Sequence, residues 1–421
     1  MKTRAVRFYG KNDLRLEEFR LPALADDEIL ARVVSDSLCM SSYKAASQGT
    51  AHKRVPADIA ERPVIIGHEF CGEIVAVGAR WRHAWQPGMK FAIQPAINYR
   101  GSLDAPGYSF SCLGGDATYV IVPSMFMEEG CLLPYEGEAF FYGSLAEPMS
   151  CIAGAFHASY HTKPGSYAHE MGIAPGGSLV ILGGAGPMGL GTVQYALGCD
   201  RRPGLLVVAD IDAARLRRAE ALAPPAQAAE RGVRLVYVNV SVTEDPAKAL
   251  LALTGGAGYD DVFVYTPVRE VVELGDALLG RNGCLNFFAG PTDPAFSASF
   301  NFYNVHYSRS HVVGTSGGNT ADMLEALSMM ERGLMDPAVM LTHIGGLDAV
   351  PQATLRLPEL RGGKKLIYTH ISLPLTAIAD FEALGEKEPL FAALHEIVAS
   401  NNGLWCAEAE RYLLEHKAGE G

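Results

Sequence analysis

From Ser178 onward the chain repeats one texture. Short uninterrupted apolar runs, SLVILGG, LLVVAD, RLVYVNV, DDVFVY, CLNFFAG and HVVGTS, are separated by helix-compatible stretches such as PMGLGTVQYALG and ARLRRAEALA. A strand that is apolar on both faces needs cover on both, so the alternation predicts a parallel, doubly wound α/β sheet with helices on either side. The first part of the chain reads differently. RAVRFY, LRLEEF, EILARVVSDSLC, GEIVAVG, KFAIQPAI and ATYVIVP are short β-like runs broken by Gly and Pro, the pattern of an irregular antiparallel barrel or sandwich.

At 421 residues the chain exceeds what one core usually organises, and two domains are expected. The fold class is α/β plus β: a β domain over residues 1–151, the α/β domain over 152–317, a return to the first domain over 318–372, and a helical C-terminal extension over 373–421. The stretch HTKPGSYAHEMGIAPGG, ahead of the first α/β strand, reads as a loop. A net charge of −12 disfavours nucleic acid and anionic membrane surfaces as partners. No segment has signal-peptide character or enough apolar length to span a bilayer, so a cytoplasmic protein is expected. The eight cysteines are scattered, which predicts reduced thiols rather than a disulfide scaffold.

In SLVILGGAGPMGL a strand runs into Gly184, Gly186 and Gly189, with Pro187 and Met188 between the last two. Side chains at the first two glycines would block a tight turn and the approach of a pyrophosphate to backbone amides, and the third lets helix and strand pack closely. The next strand ends in Asp210, 21 residues beyond Gly189. An acid there accepts hydrogen bonds from ribose hydroxyls and repels a 2′-phosphate, which favours NAD(H) over NADP(H). Arg215 and the Arg217–Arg218 pair leave the phosphorylated form open.

Hydride transfer to a carbonyl needs that carbonyl polarised, and a Lewis-acid zinc held by about three Cys, His or carboxylate ligands is a common solution. The first domain offers Cys39, His68 and Glu69 in GHEFCG, and Glu147 in SLAEPMSC, far apart in sequence as catalytic zinc ligands usually are. Cys71 and Cys151 read as small buried hydrophobes.

Taken in order, SLCMSS, GHEFCGEIVAVG, PGMKFAI, GGDATYVIVP, LAEPMSC and GGAGPMG resemble the zinc-dependent medium-chain dehydrogenase/reductase family over about residues 1–370. The resemblance implies a GroES-like catalytic domain and a Rossmann domain, with zinc and substrate in the cleft between them. It makes Cys39 and His68 the first two zinc ligands. Glu69 becomes a residue that ligates or swings in to displace water, and Glu147 the acidic third ligand or water-holder. It makes Ser41 the hydroxyl that relays the substrate proton; Lys44 or His52, by their position in the chain, are candidates to continue the relay. The segment matching the family's structural zinc lobe has only Cys112, so one catalytic zinc and no structural zinc are expected. Relatives commonly assemble as dimers or tetramers through the Rossmann domain, so a homo-oligomer is expected.

Within the family, SDSLCMSSYKAASQG, HKRVPADIAERPVIIGHEFCGEI, FNFYNVHYSRSHVVGTSGGNT and the long tail are most similar to ketose-phosphate enzymes of polyol catabolism. The implied activity is hydride transfer between NAD(H) and a ketose phosphate/polyol phosphate pair. The alternative is a polyol or secondary-alcohol dehydrogenase acting on an unphosphorylated small molecule. Lys53 and Arg54, with Lys44 and His52, are candidate phosphate donors, against the alternative that HKR is a solvated surface run. Arg309 and His311 are further candidates, read more readily as surface residues.

Overall fold

The computed structural model describes residues 1–417. Contact density divides the chain into two units, Met1–Glu147 joined by the chain from Leu341 onward, and Pro148–Met340.

The first unit is organised by the strand Ile29–Leu38. Its first residues alternate buried and partly exposed, and everything from Val33 to Leu38 is buried. The change follows from its partners. Along one edge it pairs with Phe70–Val77, and along the other its N-terminal half pairs with Tyr119–Val122 and its C-terminal half with Lys364–Tyr368. Lys90–Ile93 and Leu132–Tyr135 continue the sheet beyond Phe70–Val77. Gly72 is required in this ladder, because a Cβ there would lie 2.0 Å from the Arg32 carbonyl oxygen. A smaller sheet sets Lys2–Gly10 between Asp13–Arg20 and Val64–Ile65. Ala5, Ile29, Ala31, Val33, Ile65 and Phe70 share one core.

The late chain closes this unit. Leu341–Gly346 pairs parallel with Lys364–Tyr368, and Thr376–Ala377 adds antiparallel beyond it. Helices Phe381–Gly385, Pro389–Ser400 and Ala407–Lys417 follow. The sequence pattern attached this extension to neither domain. It belongs with the first unit because Trp405, fully buried, packs on Phe381 and Tyr368 and donates its Nε1–H to the Tyr368 hydroxyl at 2.8 Å.

The second unit is a six-stranded sheet with every pairing parallel. Its order is Arg234–Asn239, Leu205–Asp210, Ser178–Leu182, Tyr259–Val264, Leu279–Phe287 and His311–Gly314. Numbered along the chain this is 3-2-1-4-5-6, the doubly wound order of dinucleotide-binding folds, with its switch point beside Ser178–Leu182.

Two features differ from the sequence-based expectation. Residues 318–340, expected in the return segment, belong with the second unit. Helix Thr320–Glu331 is fixed there by charge: Asp322 and Glu325 both bind the His157 ring, and the Tyr195 hydroxyl donates to Glu325 at 2.7 Å. The loop expected over HTKPGSYAHEMGIAPGG contains a two-stranded ribbon, His169–Met171 on Tyr160–Thr162. Stacking explains it, since the Tyr160 ring lies against His169 at 4.3 Å and His311 at 4.1 Å, a pattern no hydrophobic periodicity records. Among the described residues no helix is long and apolar enough to cross a membrane.

Candidate active site

Strand Ile29–Leu38 delivers Cys39 to the N-terminus of helix Met40–Gln48, where its Sγ accepts from the Ser41 amide at 3.5 Å. Residues His68 and Glu69 enter from the segment before Phe70–Val77. One ligand atom each from Cys39, His68 and Glu69 lie within 4.8 Å of one another. The histidine and glutamate are buried.

Two acids shape the approach of this dipeptide. Asp36 Oδ1 accepts from the Glu69 amide at 2.9 Å, and Asp36 and Asp116 crowd Gly67 so closely that a Cβ there would meet them at 2.6–2.8 Å. Burial pushes Asp116 up to about 8, and burial with the charge of Asp116 pushes Asp36 up as well. Asp36 Oδ2 and both Asp116 carboxyl oxygens are buried without a hydrogen-bond partner, which favours the protonated acids.

The electrostatics suit a metal. Burial pushes His68 down to about 4, so its ring is neutral and free to ligate at neutral pH. Burial, and then the negative charge of Glu69, push the Cys39 thiol up to about 12; it would ionise only against a strong cation, as a zinc-bound thiol does. A thiolate, an imidazole and a carboxylate are the donor set of a catalytic zinc, and the residues fit that ion.

Glu69, however, is already engaged. The Lys364 ammonium, buried in strand Lys364–Tyr368, bonds both of its carboxylate oxygens, and Ser37 Oγ donates to one of them. Burial alone would raise the Glu69 pKa, but Lys364 and His68 leave it lowered. Glu147, on helix Phe140–Ala158, lies close enough for its charge to raise the pKa values of Cys39, Tyr108 and Lys364.

Tyr108 joins the metal-type cluster to a cationic one. Its hydroxyl is 3.3 Å from His68 Nδ1, and it hydrogen-bonds Ser41. Its ring stacks on His52 at 5.5 Å and carries the Arg54 guanidinium at 5.4 Å from the ring centroid. The Arg54 Nε is buried with no hydrogen-bond partner. Burial, then the charges of Arg54, Lys53 and Lys44, lower the His52 pKa. Lys44 is half-buried and lowered by burial, while Lys53 points into solvent. Arg309 is exposed, and His311 is used in the Tyr160 stack.

Sequence reasoning missed Lys364, Tyr108, Ser37 and the Asp36–Asp116 pair. Only Lys364 left a trace, a charged residue opening the otherwise strand-like run KKLIYTH. Tyr108 lies in a loop segment whose single cysteine is Cys112, and nothing local marks the tyrosine as part of a site.

In the second unit, Ser178–Leu182 turns through Gly183, at φ +74°, into helix Pro187–Gly198 with Gly186 as its N-cap. Pro187 takes the first helical position, where a missing N–H costs nothing. Met188 is partly exposed, and its carbonyl accepts from Thr192 Oγ1 at 2.8 Å. A Cβ on Gly189 would strike the Gly184 carbonyl oxygen at 2.0 Å, whereas one on Gly186 would meet nothing within 4 Å. The loop therefore keeps an open cradle at a helix N-terminus, which fits a pyrophosphate. Asp210 braces it, accepting from the Ala185 amide at 3.0 Å through Oδ2 and from Ile211 and Asp212 amides through Oδ1. Arg215 is paired with Asp212 at 3.6 Å.

Residues 187–332 match the zinc-binding dehydrogenase family model, and residues 25–132 the alcohol dehydrogenase GroES-like domain. The chain is 51% identical to the L-sorbose 1-phosphate reductase of Klebsiella pneumoniae over 98% of each chain. It belongs to the zinc-binding dehydrogenase family. The mannitol-1-phosphate 5-dehydrogenase of Aliivibrio fischeri is 50% identical, also over 98% of each chain. Among solved structures, 2R,3R-butanediol dehydrogenase from Bacillus subtilis superposes with a TM-score of 0.70 at 20% identity, covering 87% of this chain and 99% of its own. As a zinc-binding dehydrogenase this chain is an oxidoreductase with a GroES-like unit and a Rossmann unit, and zinc and a nicotinamide dinucleotide are its cofactors.

Three substitutions probe these sites. Lys364→Met leaves Glu69 buried without its counter-ion, and a loss of about 3–5 kcal/mol in urea unfolding is expected; the idea fails if this variant is as stable as the parent. Gly186→Ala should lower stability by less than about 1 kcal/mol yet abolish NADH binding followed by fluorescence. Gly189→Ala should damage both. Unchanged NADH affinity in Gly186→Ala would mean that no phosphate approaches that backbone.

Proposed function

We propose that this enzyme transfers hydride between NAD(H) and a ketose phosphate/polyol phosphate pair. The observation that carries this reading is the cationic cluster around Tyr108. Arg54, His52 and Lys44 gather beside the ring that touches His68, and Arg54 Nε is buried with no protein partner. A buried guanidinium donor is costly to leave unpaired, and a substrate phosphate would take it in a charge-assisted bond. The names of the two relatives at 50% and 51% identity, both of phosphorylated-sugar enzymes, support the same substrate class. Arg54 takes over the role that the sequence divided between Lys53 and Arg54.

In this reading Cys39, His68 and Glu147 hold the zinc, and Glu69 stays with Lys364 behind it. Bound zinc supplies a Lewis acid that stabilises negative charge on the substrate oxygen, and the nicotinamide carries the hydride. Ser41, bonded to Tyr108, passes the substrate hydroxyl proton outward, with Lys44 or His52 next in line. The Arg54 amide donates to His52 Nδ1 at 3.3 Å, which assigns the ring proton to Nε2. Asp210 at the end of Leu205–Asp210 favours the unphosphorylated dinucleotide, and Arg215 is drawn toward Asp212.

Self-association fits the edge of the Rossmann sheet. His311–Gly314 is paired on one side only, among the described residues, and Phe302, Tyr303 and Tyr307 nearby in sequence are 76%, 68% and 64% exposed. An open edge next to exposed aromatics suits a second copy of this chain. Sedimentation should show a dimer or tetramer that Val312→Pro disrupts; a single-chain mass for the parent at micromolar concentration would remove this proposal.

Steady-state rates with NADH and NADPH, on L-sorbose 1-phosphate, fructose 6-phosphate and their free ketoses, test the substrate class. A preference for a phosphorylated ketose of about a hundredfold in kcat/KM, or about 2.7 kcal/mol, is expected. Arg54→Ala should remove most of it through KM while leaving the free sugars unaffected. Equal turnover of free and phosphorylated ketoses would instead leave a general polyol dehydrogenase.

A further inference from the structure

The extension that ends the chain brings one carboxylate into the first unit's interior. Glu410, on helix Ala407–Lys417, is 3% exposed. Its Oε1 accepts from the Phe140 amide at 2.6 Å, and its Oε2 accepts from the Phe141 amide at 2.9 Å and from the Tyr368 hydroxyl at 2.9 Å. Trp405 Nε1 donates in turn to that hydroxyl.

The three donors belong to two elements. Phe140 and Phe141 open helix Phe140–Ala158, which carries Glu147; Tyr368 closes strand Lys364–Tyr368, which carries Lys364. We infer that Glu410 is a positioning residue for the zinc site, clasping the helix that presents Glu147 to the strand whose Lys364 holds Glu69. This rests on the reading of Glu147 as a zinc ligand.

The physical case has three parts. The first amides of a helix have no partner within it, and a carboxylate there satisfies two of them and complements the helix dipole. Glu147 is two turns and about 10 Å from that end, and it precedes Pro148, the one residue of the helix without an N–H to donate, so the turns from Phe140 to Glu147 form a continuous helical lever. Between them Ser144 Oγ donates to the Ser35 carbonyl at 2.9 Å, tying the middle of the lever to strand Ile29–Leu38. A shift at Phe140 therefore swings Glu147 about that tie. Finally, adhesion of the tail does not explain a carboxylate. Trp405, Phe391 and Leu413 already bury apolar surface, and an interior acid is a costly addition unless its oxygens are needed where they point.

The test compares full-length Glu410→Ala, Glu410→Gln, Leu413→Ala and Glu147→Ala at a temperature where each is folded. Readouts are zinc affinity by chelator competition, the visible spectrum of the cobalt-substituted protein, and kcat against KM. Glu410→Ala should weaken zinc about tenfold, shift the cobalt bands and lower kcat with little change in KM. Glu410→Gln, which keeps one acceptor oxygen, should fall between it and the parent, and it carries the test if the alanine variant does not fold. Leu413→Ala should lose stability while keeping parental zinc affinity and spectrum. Parental zinc behaviour in the Glu410 variants, with weakened zinc in Glu147→Ala, overturns the clasp alone. No zinc effect in Glu147→Ala overturns the ligand reading and the clasp with it. Equal zinc loss in Leu413→Ala reduces Glu410 to general stability and also overturns the proposal.

Discussion

A buried ammonium holds this site together. Lys364 takes both oxygens of Glu69 in an interior where neither charge would be tolerated alone. The pair ties residue 69 to a strand from the last part of the chain, and that strand completes the edge of Ile29–Leu38 immediately before Cys39. It also sets the electrostatic character of residue 69, since an acid satisfied by lysine can act on a neighbouring cation without being its ligand.

The two units shape their sites for charged groups by different means. In the Rossmann unit the answer is backbone. Glycines leave space, a helix end supplies donors, and Asp210 braces the turn through the Ala185 amide. In the GroES-like unit the answer is side chains fixed from behind. Asp36 orients the Glu69 amide, and Asp36 and Asp116 together leave room at position 67 for nothing larger than glycine.

This contrast explains what could be read from the sequence. The doubly wound sheet was legible because a strand buried on both faces writes a continuous apolar run, and the glycine spacing followed from phosphate geometry. The cysteine, histidine and glutamate of the metal-type cluster, Cys39, His68 and Glu69, were legible as residue types, through family motifs. Their partners were not. Lys364 lies 295 residues from Glu69, and nothing local marks a lysine that will be buried. Tyr108 is an ordinary aromatic in a loop until His52, Arg54 and His68 gather around it. The ribbon at Tyr160–Thr162 rests on ring stacking, and residues 318–340 are placed by charges on His157, Asp322 and Glu325; neither has a periodic signal.

The insertion of one unit inside the other also orders events during synthesis. Everything the Rossmann sheet needs emerges as one continuous stretch, so it can fold as soon as residue 340 clears the ribosome. The GroES-like unit cannot. Until Lys364–Tyr368 appears, Ile29–Leu38 keeps half an edge unpaired and Glu69 has no counter-charge, so the first residues made belong to the last unit finished. A chain stopped between the two units would therefore present an open strand edge and uncovered apolar side chains, the marks of an incomplete protein.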